Sequence, residues 1–190
     1  MKPYMINTAG IVCDAQFIAS PNYDERPLAD NAEPANICLI VIHNISLPPG
    51  EYGGNGIIEL FTNKLNPTDH PYYAGIYSHT VSAHFLIRRH GELIQFVSCL
   101  KRAWHAGASS WQGKARCNDF SIGIELEGSD FEAFTPAQYC TLQRLVAGLS
   151  SCYPIREIVG HSDIAPVRKT DPGPYFDWSQ VDAIKRANER

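Results

Sequence analysis

The segment Gly160-His161-Ser162-Asp163-Ile164-Ala165-Pro166-Val167-Arg168-Lys169-Thr170-Asp171-Pro172-Gly173-Pro174 places the tightest limits on the fold. It packs one His, two Asp, one Arg and one Lys among three prolines and two glycines. A proline removes a backbone donor and clashes with the preceding helical turn, so no continuous helix spans the segment. The same missing donors bar it from a central strand. It reads as a long ordered loop that holds charged groups in fixed positions, and loops of that kind carry chemistry. His161 and Asp171 lie ten residues apart, a spacing that suits two ligands brought together by a folded loop rather than by one helical face. The plainer reading is a polar surface turn that ends in a helix cap.

Around this loop the chain alternates strand-like and helix-like stretches. Ile37 to Ile42 is an unbroken apolar run, suited to a strand buried on both faces, and His43-Asn44 follow at its C-terminal end. The C-terminal ends of central strands are where open α/β sheets place ligands. Ile11 to Ser20 predicts a strand or hairpin arm, Ile57 to Asn63 a short helical piece, and Val81–Arg88 with Glu92–Val97 a hairpin closed at Gly91. Within that hairpin His84 reads as a hydrogen-bonded core histidine. Lys101 to Gly107 contains Trp104-His105-Ala106-Gly107, which offers an aromatic face, an imidazole and a small residue as a cleft floor. Gly113 to Asn118 reads as a loop carrying Lys114 and Arg116.

Phe120 to Gly128 reads as a central strand. Its period-2 pattern puts Glu125 and Glu127 on one face and Ile124 and Leu126 on the other. Burying a carboxylate is costly without a partner, so one Glu is expected beside a cation and the other solvated at the strand end. Thr135-Pro136-Ala137-Gln138 opens a helix with a Thr cap, Pro at the first position and Gln three residues after the cap. Its apolar stripe is Tyr139, Leu142, Leu145, Val146 and Leu149, and it stops before Pro154. Ile155 to Val159 is a short strand that delivers His161 to its own end. Val181 to Ala187 is expected to close the chain as a helix.

The 190 residues are expected to form a single domain spanning residues 1–190. A net charge of −4 argues against a nucleic-acid surface as the main function. No apolar run approaches a membrane span, and the basic start at Lys2 is followed by no apolar stretch of a signal peptide. The six cysteines are scattered with no C-x-x-C pair, so all six are expected reduced, as small apolar side chains in a cytoplasmic protein.

His43 and His161 each follow an apolar strand-like run. With Asp171 they supply a two-His, one-carboxylate set, which gives tetrahedral Zn²⁺ three protein ligands and one open position. The same ligand types suit Fe(II), and His161-Ser162-Asp163 with His43 keeps that reading open on ligands alone. Zinc hydrolysis of an amide also needs a base and a cation for the developing oxyanion. Spacing does not choose between Glu125 and Glu127, Lys169 and Arg168, or Asp171 and Asp163.

Five stretches in order resemble one family: Val41 to Gly50, Val81 to Arg89, Arg102 to Gly107, Ser121 to Gly128, and Gly160 to Pro174. Together they are similar to the zinc N-acetylmuramoyl-L-alanine amidases, the family that also contains peptidoglycan recognition proteins and phage amidases. The likeness runs from about Ser20 to Trp178. It implies an α/β fold, a central mixed β-sheet flanked by α-helices, with one Zn²⁺ per chain at one sheet edge. By motif it implies His43, His161 and Asp171 as metal ligands, Glu125 as catalytic acid/base and Lys169 as catalytic lysine. Arg116 matches a residue expected to hold a carboxylate of the stem peptide, and Asn44, Trp104 and His105 are expected to contact substrate. The chain departs from the family at Thr80, where a basic residue precedes Val81-Ser82-Ala83-His84 in relatives. The resemblance implies hydrolysis of the amide between the lactyl group of (1,6-anhydro-)N-acetylmuramic acid and L-alanine in soluble muropeptides, with no nucleic acid, membrane or obligate protein partner. The alternative is a non-catalytic peptidoglycan-fragment-binding module on the same fold. An iron oxygenase would require a jelly-roll strand pattern that this sequence does not show.

Overall fold

The computed structural model describes residues 1–28 and 36–181. Its strands are β1 (Gln16–Phe17), β2 (Tyr23–Glu25), β3 (Leu39–Ile45), β4 (Phe85–Ile87), β5 (Leu93–Gln95), β6 (Lys101–Ala103), β7 (Ser110–Trp111), β8 (Lys114–Ala115), β9 (Ser121–Glu127) and β10 (Glu157–Gly160). The helices are α1 (Gly56–Phe61), α2 (Pro136–Cys152) and α3 (His161–Ile164). Six strands form the main sheet in the order β1-β5-β4-β9-β3-β10. β4, β9, β3 and β10 run parallel to one another, and the β4–β5 hairpin is antiparallel, which makes the sheet mixed.

Two fully flanked strands hold the centre. Every residue of β9 is buried, and so are the first five of β3, which matches their near-continuous apolar composition. Alternate side chains go to opposite faces. Ile40, Ile42, Ile122, Ile124 and Leu126 pack against Tyr139, Leu142, Leu145, Val146 and Leu149 of α2. Leu39 and Val41 face the other way, toward Phe120, Val159 and Ile164. Beyond them on that second face, Leu86, Ile94 and Phe96 pack under Ile57, Leu60 and Phe61 of α1. Truncating any of these buried Leu residues to Ala would cost about 2–5 kcal/mol.

Helix α2 begins where its capping residues direct. Thr135 accepts a hydrogen bond from the Gln138 amide at 3.1 Å, and the Gln138 side chain accepts one from the Thr135 amide at 3.0 Å. The hairpin, the α1 segment and the period-2 face assignment of β9 also form as the sequence predicts. Three expectations are corrected. The charged Pro-rich loop opens with one helical turn, α3, because its first proline comes only at Pro166. Loop 113–118 carries strand β8, paired with β7. Of the six cysteines, all free, only Cys99 and Cys117 are buried, whereas Cys13, Cys140 and Cys152 are exposed. The closing helix expected from Val181 to Ala187 lies outside the described residues except for Val181, which is buried.

Among the described residues, no helix is long and apolar enough to cross a membrane.

Candidate active site

Parallel pairing assembles the site. In the β3–β9 register His43 lies beside Glu125, and in the β3–β10 register Gly160 lies beside Ile42. His43 and Glu125 therefore share the sheet face opposite α2. The chain leaves edge strand β10 at Gly160 and places His161 next to His43. Gly160 is needed here because a Cβ would meet Pro172 Cδ at 2.8 Å, where the Pro-rich loop folds back. That return is held by the Ser162 amide, which donates to the Asp171 carbonyl at 2.9 Å. Asn44 secures it from the other side, donating to Asp130 Oδ1 at 2.6 Å and to the Pro172 carbonyl at 3.1 Å.

Three donor atoms converge. His43 Nδ1 is 2.9 Å from His161 Nδ1 and 3.0 Å from Asp171 Oδ2, and His161 Nδ1 is 3.1 Å from the same oxygen. For ligand bonds of about 2.0–2.1 Å, two ligands on a tetrahedral ion lie about 3.3 Å apart, so the triangle is close to one face of such a tetrahedron. The second nitrogen of His161 lies 3.2 Å from the Ala106 carbonyl, which can only accept, so Nε2 carries the proton and Nδ1 offers a lone pair. The two imidazoles are buried and Asp171 is mostly so. The donor set fits Zn²⁺.

Electrostatics keep the cluster ready for a cation. Burial lowers the His43 pKa to about 4, against the opposing pull of Asp171, so its imidazole is neutral at pH 7. Burial alone would raise the Asp171 carboxyl, but the adjoining His161 and His43 imidazoles hold it well below the usual carboxylate range. Glu125 behaves in the opposite way. Burial, and then the Asp171 charge, drive its carboxyl well above the ordinary value, with Lys169 opposing. Its Oε2 is a buried side-chain atom without a hydrogen-bond partner, unique in this among the described residues. Native structures leave few such atoms unsatisfied, and those they do leave call for a reason.

These groups face one cavity of about 270 Å³, lined by His43, Asp171, Glu125 and Lys169 together with Trp104 and His105. Tertiary packing separates the pairs that spacing left open. Asp163 turns away to accept from the Gly160 amide at 2.7 Å, which removes the carboxylate that the iron reading required. Glu127 is neither solvated nor in the cavity. Arg88 Nη1 lies 3.2 Å from it, and the Gly53 and Arg89 amides donate to it at 2.7 and 3.1 Å. Arg168 donates to the carbonyls of Ala106 and Ala108 at 2.8 and 3.0 Å, whereas Lys169 lines the cavity.

Arg116 is exposed, in left-handed backbone conformation, and ion-paired with Asp119 at 3.2 Å rather than lining the cavity. His84 is the core histidine expected, its Nδ1 accepting from the Gly123 amide at 3.0 Å. The sequence reading missed His79, Ser82 and Phe61, which also line the cavity. For His79 the available signal was its position one residue before Thr80, where the family resemblance led us to expect a basic side chain.

Known proteins are similar to this chain in sequence and fold. The sequence profile of the family described as N-acetylmuramoyl-L-alanine amidase matches residues 33–174. The 1,6-anhydro-N-acetylmuramyl-L-alanine amidase AmpD of Citrobacter freundii is 53% identical over 182 residues, covering 95% of each chain. A crystal structure of a selenomethionine derivative of AmpD superposes with a TM-score of 0.89 at 53% identity, covering 95% of this chain and 99% of that one. The amidase AmiD from E. coli, solved in complex with the substrate anhydro-N-acetylmuramic acid-L-Ala-D-gamma-Glu-L-Lys, gives a TM-score of 0.58 at 30% identity. The match covers 85% of this chain and 65% of AmiD.

Proposed function

The chain belongs to the N-acetylmuramoyl-L-alanine amidase family, and from that premise we propose that it hydrolyses the amide joining the lactyl group of 1,6-anhydro-N-acetylmuramic acid to L-alanine in muropeptides. The observation that carries the reading is the convergence of His43, His161 and Asp171 in a cavity that also holds an unpartnered buried Glu125 and Lys169. A module that only bound fragments would have no use for that costly carboxylate.

His43, His161 and Asp171 are the residues that would hold one Zn²⁺. Zinc bound there supplies Lewis acidity, which activates a water molecule and polarises the scissile carbonyl. Glu125 is the general base, then the general acid. Its carboxylate takes the proton from the attacking water and passes it to the leaving L-alanine amine. Burial raises this carboxyl, so once it has taken the proton it holds it more firmly than an exposed Glu until the leaving amine accepts it. Lys169 supports the oxyanion that develops as the carbonyl carbon becomes tetrahedral. Trp104 gives the cavity an apolar wall beside these groups.

The substrate carries carboxylates on its stem peptide, while the chain as a whole carries a net charge of −4. Capture therefore depends on local cations, and Arg116, with its exposed guanidinium, is proposed to take one stem carboxylate in exchange for Asp119. Arg116→Ala should raise KM for tripeptide stems with little change in kcat, and equal loss on all stem lengths would refute that role. The proposed setting is the cytoplasm, with soluble muropeptides as substrates and residues 1–190 working as one domain without an obligate partner. The overall test is an assay of the purified protein on an anhydro-muropeptide, with and without chelator. Release of the stem peptide that stops on chelation and returns with zinc is the expected result. Binding without release would reduce the chain to a recognition module.

A further inference from the structure

The family profile begins at residue 33, yet the strand that precedes it reaches the back of the cavity wall. β2 pairs antiparallel with β6, which sets Asp24 across from Arg102, two residues before Trp104. Arg102 Nε donates to Asp24 Oδ1 at 2.6 Å, and its Nη1 donates to Asp119 Oδ1 at 2.5 Å. Arg102 foremost, and the Trp104 side chain with it, hold the Asp24 carboxyl below its ordinary value. Arg26 follows β2 and turns inward, only 7% exposed. An arginine carries five N–H donors in a fixed fork, and here all five meet backbone carbonyls. Nε and Nη2 each donate to Cys99 at 3.2 Å, and Nη2 also donates to Ser121 at 2.9 Å. Nη1 donates to Asn118 and Asp119, at 3.2 and 3.1 Å. Nη2 lies beside His84 Nε2 as well, at 3.2 Å. Burial lowers the Arg26 pKa to about 10, so the guanidinium remains charged at pH 7. A buried charge is costly unless its hydrogen bonds are made, so the four carbonyls and the fork hold one another in place.

Asn118 and Asp119 pass that order on to the cavity. Asn118 Oδ1 accepts from the amides of His105 and Ala106, at 3.2 and 2.8 Å, and Trp104 and His105 line the cavity. Asp119 pairs with Arg116 at 3.2 Å through its other oxygen. We infer that Arg26 and Asp24 are positioning residues, which act through Asn118, Asp119 and Arg102 to hold the Trp104–His105 wall and the Arg116 side chain in place for a substrate. The three-residue cluster, Glu125 and Lys169 stand on other elements, namely β3, β9 and the segment that follows β10. The wall can therefore shift while the reacting groups stay. The inference rests on the amidase reading, but its first test needs no turnover.

Arg26→Lys keeps the charge, but a compact ammonium with three donors cannot span four carbonyls. Hydrogen exchange followed residue by residue should show the His105 and Ala106 amides exchanging about tenfold faster than in the wild type, over and above any change at the centres of α2 and β9. Those centres report global stability, so equal acceleration everywhere would reduce Arg26 to a purely structural role and overturn the inference. On an anhydro-muropeptide, KM should rise about tenfold while kcat per folded molecule stays within about threefold. A fall in kcat with KM unchanged would also overturn it. Asn118→Ala should raise KM to a similar extent, and the double variant should do no more than the worse single one, because both break the same link. Additive losses would show that Arg26 does not act through Asn118. If Arg26→Lys does not fold, Asp24→Ala decides: faster exchange at Trp104 and His105 with a raised KM supports the inference, and unchanged exchange and KM refute it. A wild type that releases no stem peptide would defeat the amidase reading instead, and the exchange pattern would still decide the role of Arg26.

Discussion

Glu125→Gln should make the metal-free protein more stable while abolishing most of its activity. Glu125 is only 8% exposed, and its Oε2 has no hydrogen-bond partner. A buried polar group left unsatisfied costs about 1–3 kcal/mol, and more when charged. Glutamine keeps the shape and still buries an unpartnered polar group, so the gain comes only from removing the charge, whose cost Lys169 already offsets in part in the wild type. A gain of about 1–3 kcal/mol corresponds to a rise in melting temperature of roughly 2–12 °C for a chain of this size. The pH dependence gives a second signature. The folded carboxyl titrates well above its ordinary 4.5, so its stability contribution is fully present below 4.5 and is lost as pH rises through the raised value. The advantage of the variant should thus be largest at neutral pH and should close as the buffer is made acidic. Thermal melts of metal-free wild type and variant across that range, paired with kcat on an anhydro-muropeptide, make the assay. We expect kcat to drop on the order of 10² or more. A variant that melts at or below the wild type at pH 7 would refute the claim that this carboxylate is held at a cost. A variant that melts higher with full activity would leave the cost real and the catalytic role wrong.

Other measurements probe the rest of the site. Asp171→Ala should lose stoichiometric zinc on elemental analysis while His43 and His161 remain, and full retention would remove Asp171 from the ligand set. Glu127→Ala should destabilise the fold by about 3–5 kcal/mol, because it leaves the buried Arg88 guanidinium only its longer, 3.7 Å pair with the exposed Glu92. Its folded fraction should keep far more kcat than Glu125→Ala, and equal damage would reverse the choice between the two carboxylates. His84, with its folded pKa lowered from 6.5 to about 3 by burial, contributes stability that is present above 6.5 and lost as pH falls toward 3. That loss amounts to about 5 kcal/mol. Melts recorded from pH 7 to pH 4 should fall steeply in the wild type and less steeply in His84→Gln, and parallel curves would contradict it.

What could be read from the sequence was whatever depends on near neighbours in the chain. Thr135 and Gln138 cap α2 because the capping bonds span three residues. The apolar run of β3 and the alternation of Glu125 and Glu127 with Ile124 and Leu126 follow from the two-residue period of a strand. Those features, with the motifs that resemble a known family, sufficed to mark His43, His161 and the Pro-rich loop. The choices that remained depend on contacts between residues far apart in sequence. Glu125 and Glu127 are alike in local pattern, and they differ because the β3–β9 register sets one beside His43 while Arg88 and the Gly53 amide bind the other. Asp163 and Asp171 are equally plausible until the loop folds back over Gly160, which spends one on a backbone amide and turns the other toward two imidazoles. No local pattern in Trp104-His105-Ala106-Gly107 reveals that His105 will meet His43 on one side and Ser121 on the other. Periodicity is a property of the strand, whereas register and loop return are properties of the packed sheet, and it is the packed sheet that brings the donor atoms to within about 3 Å of one another.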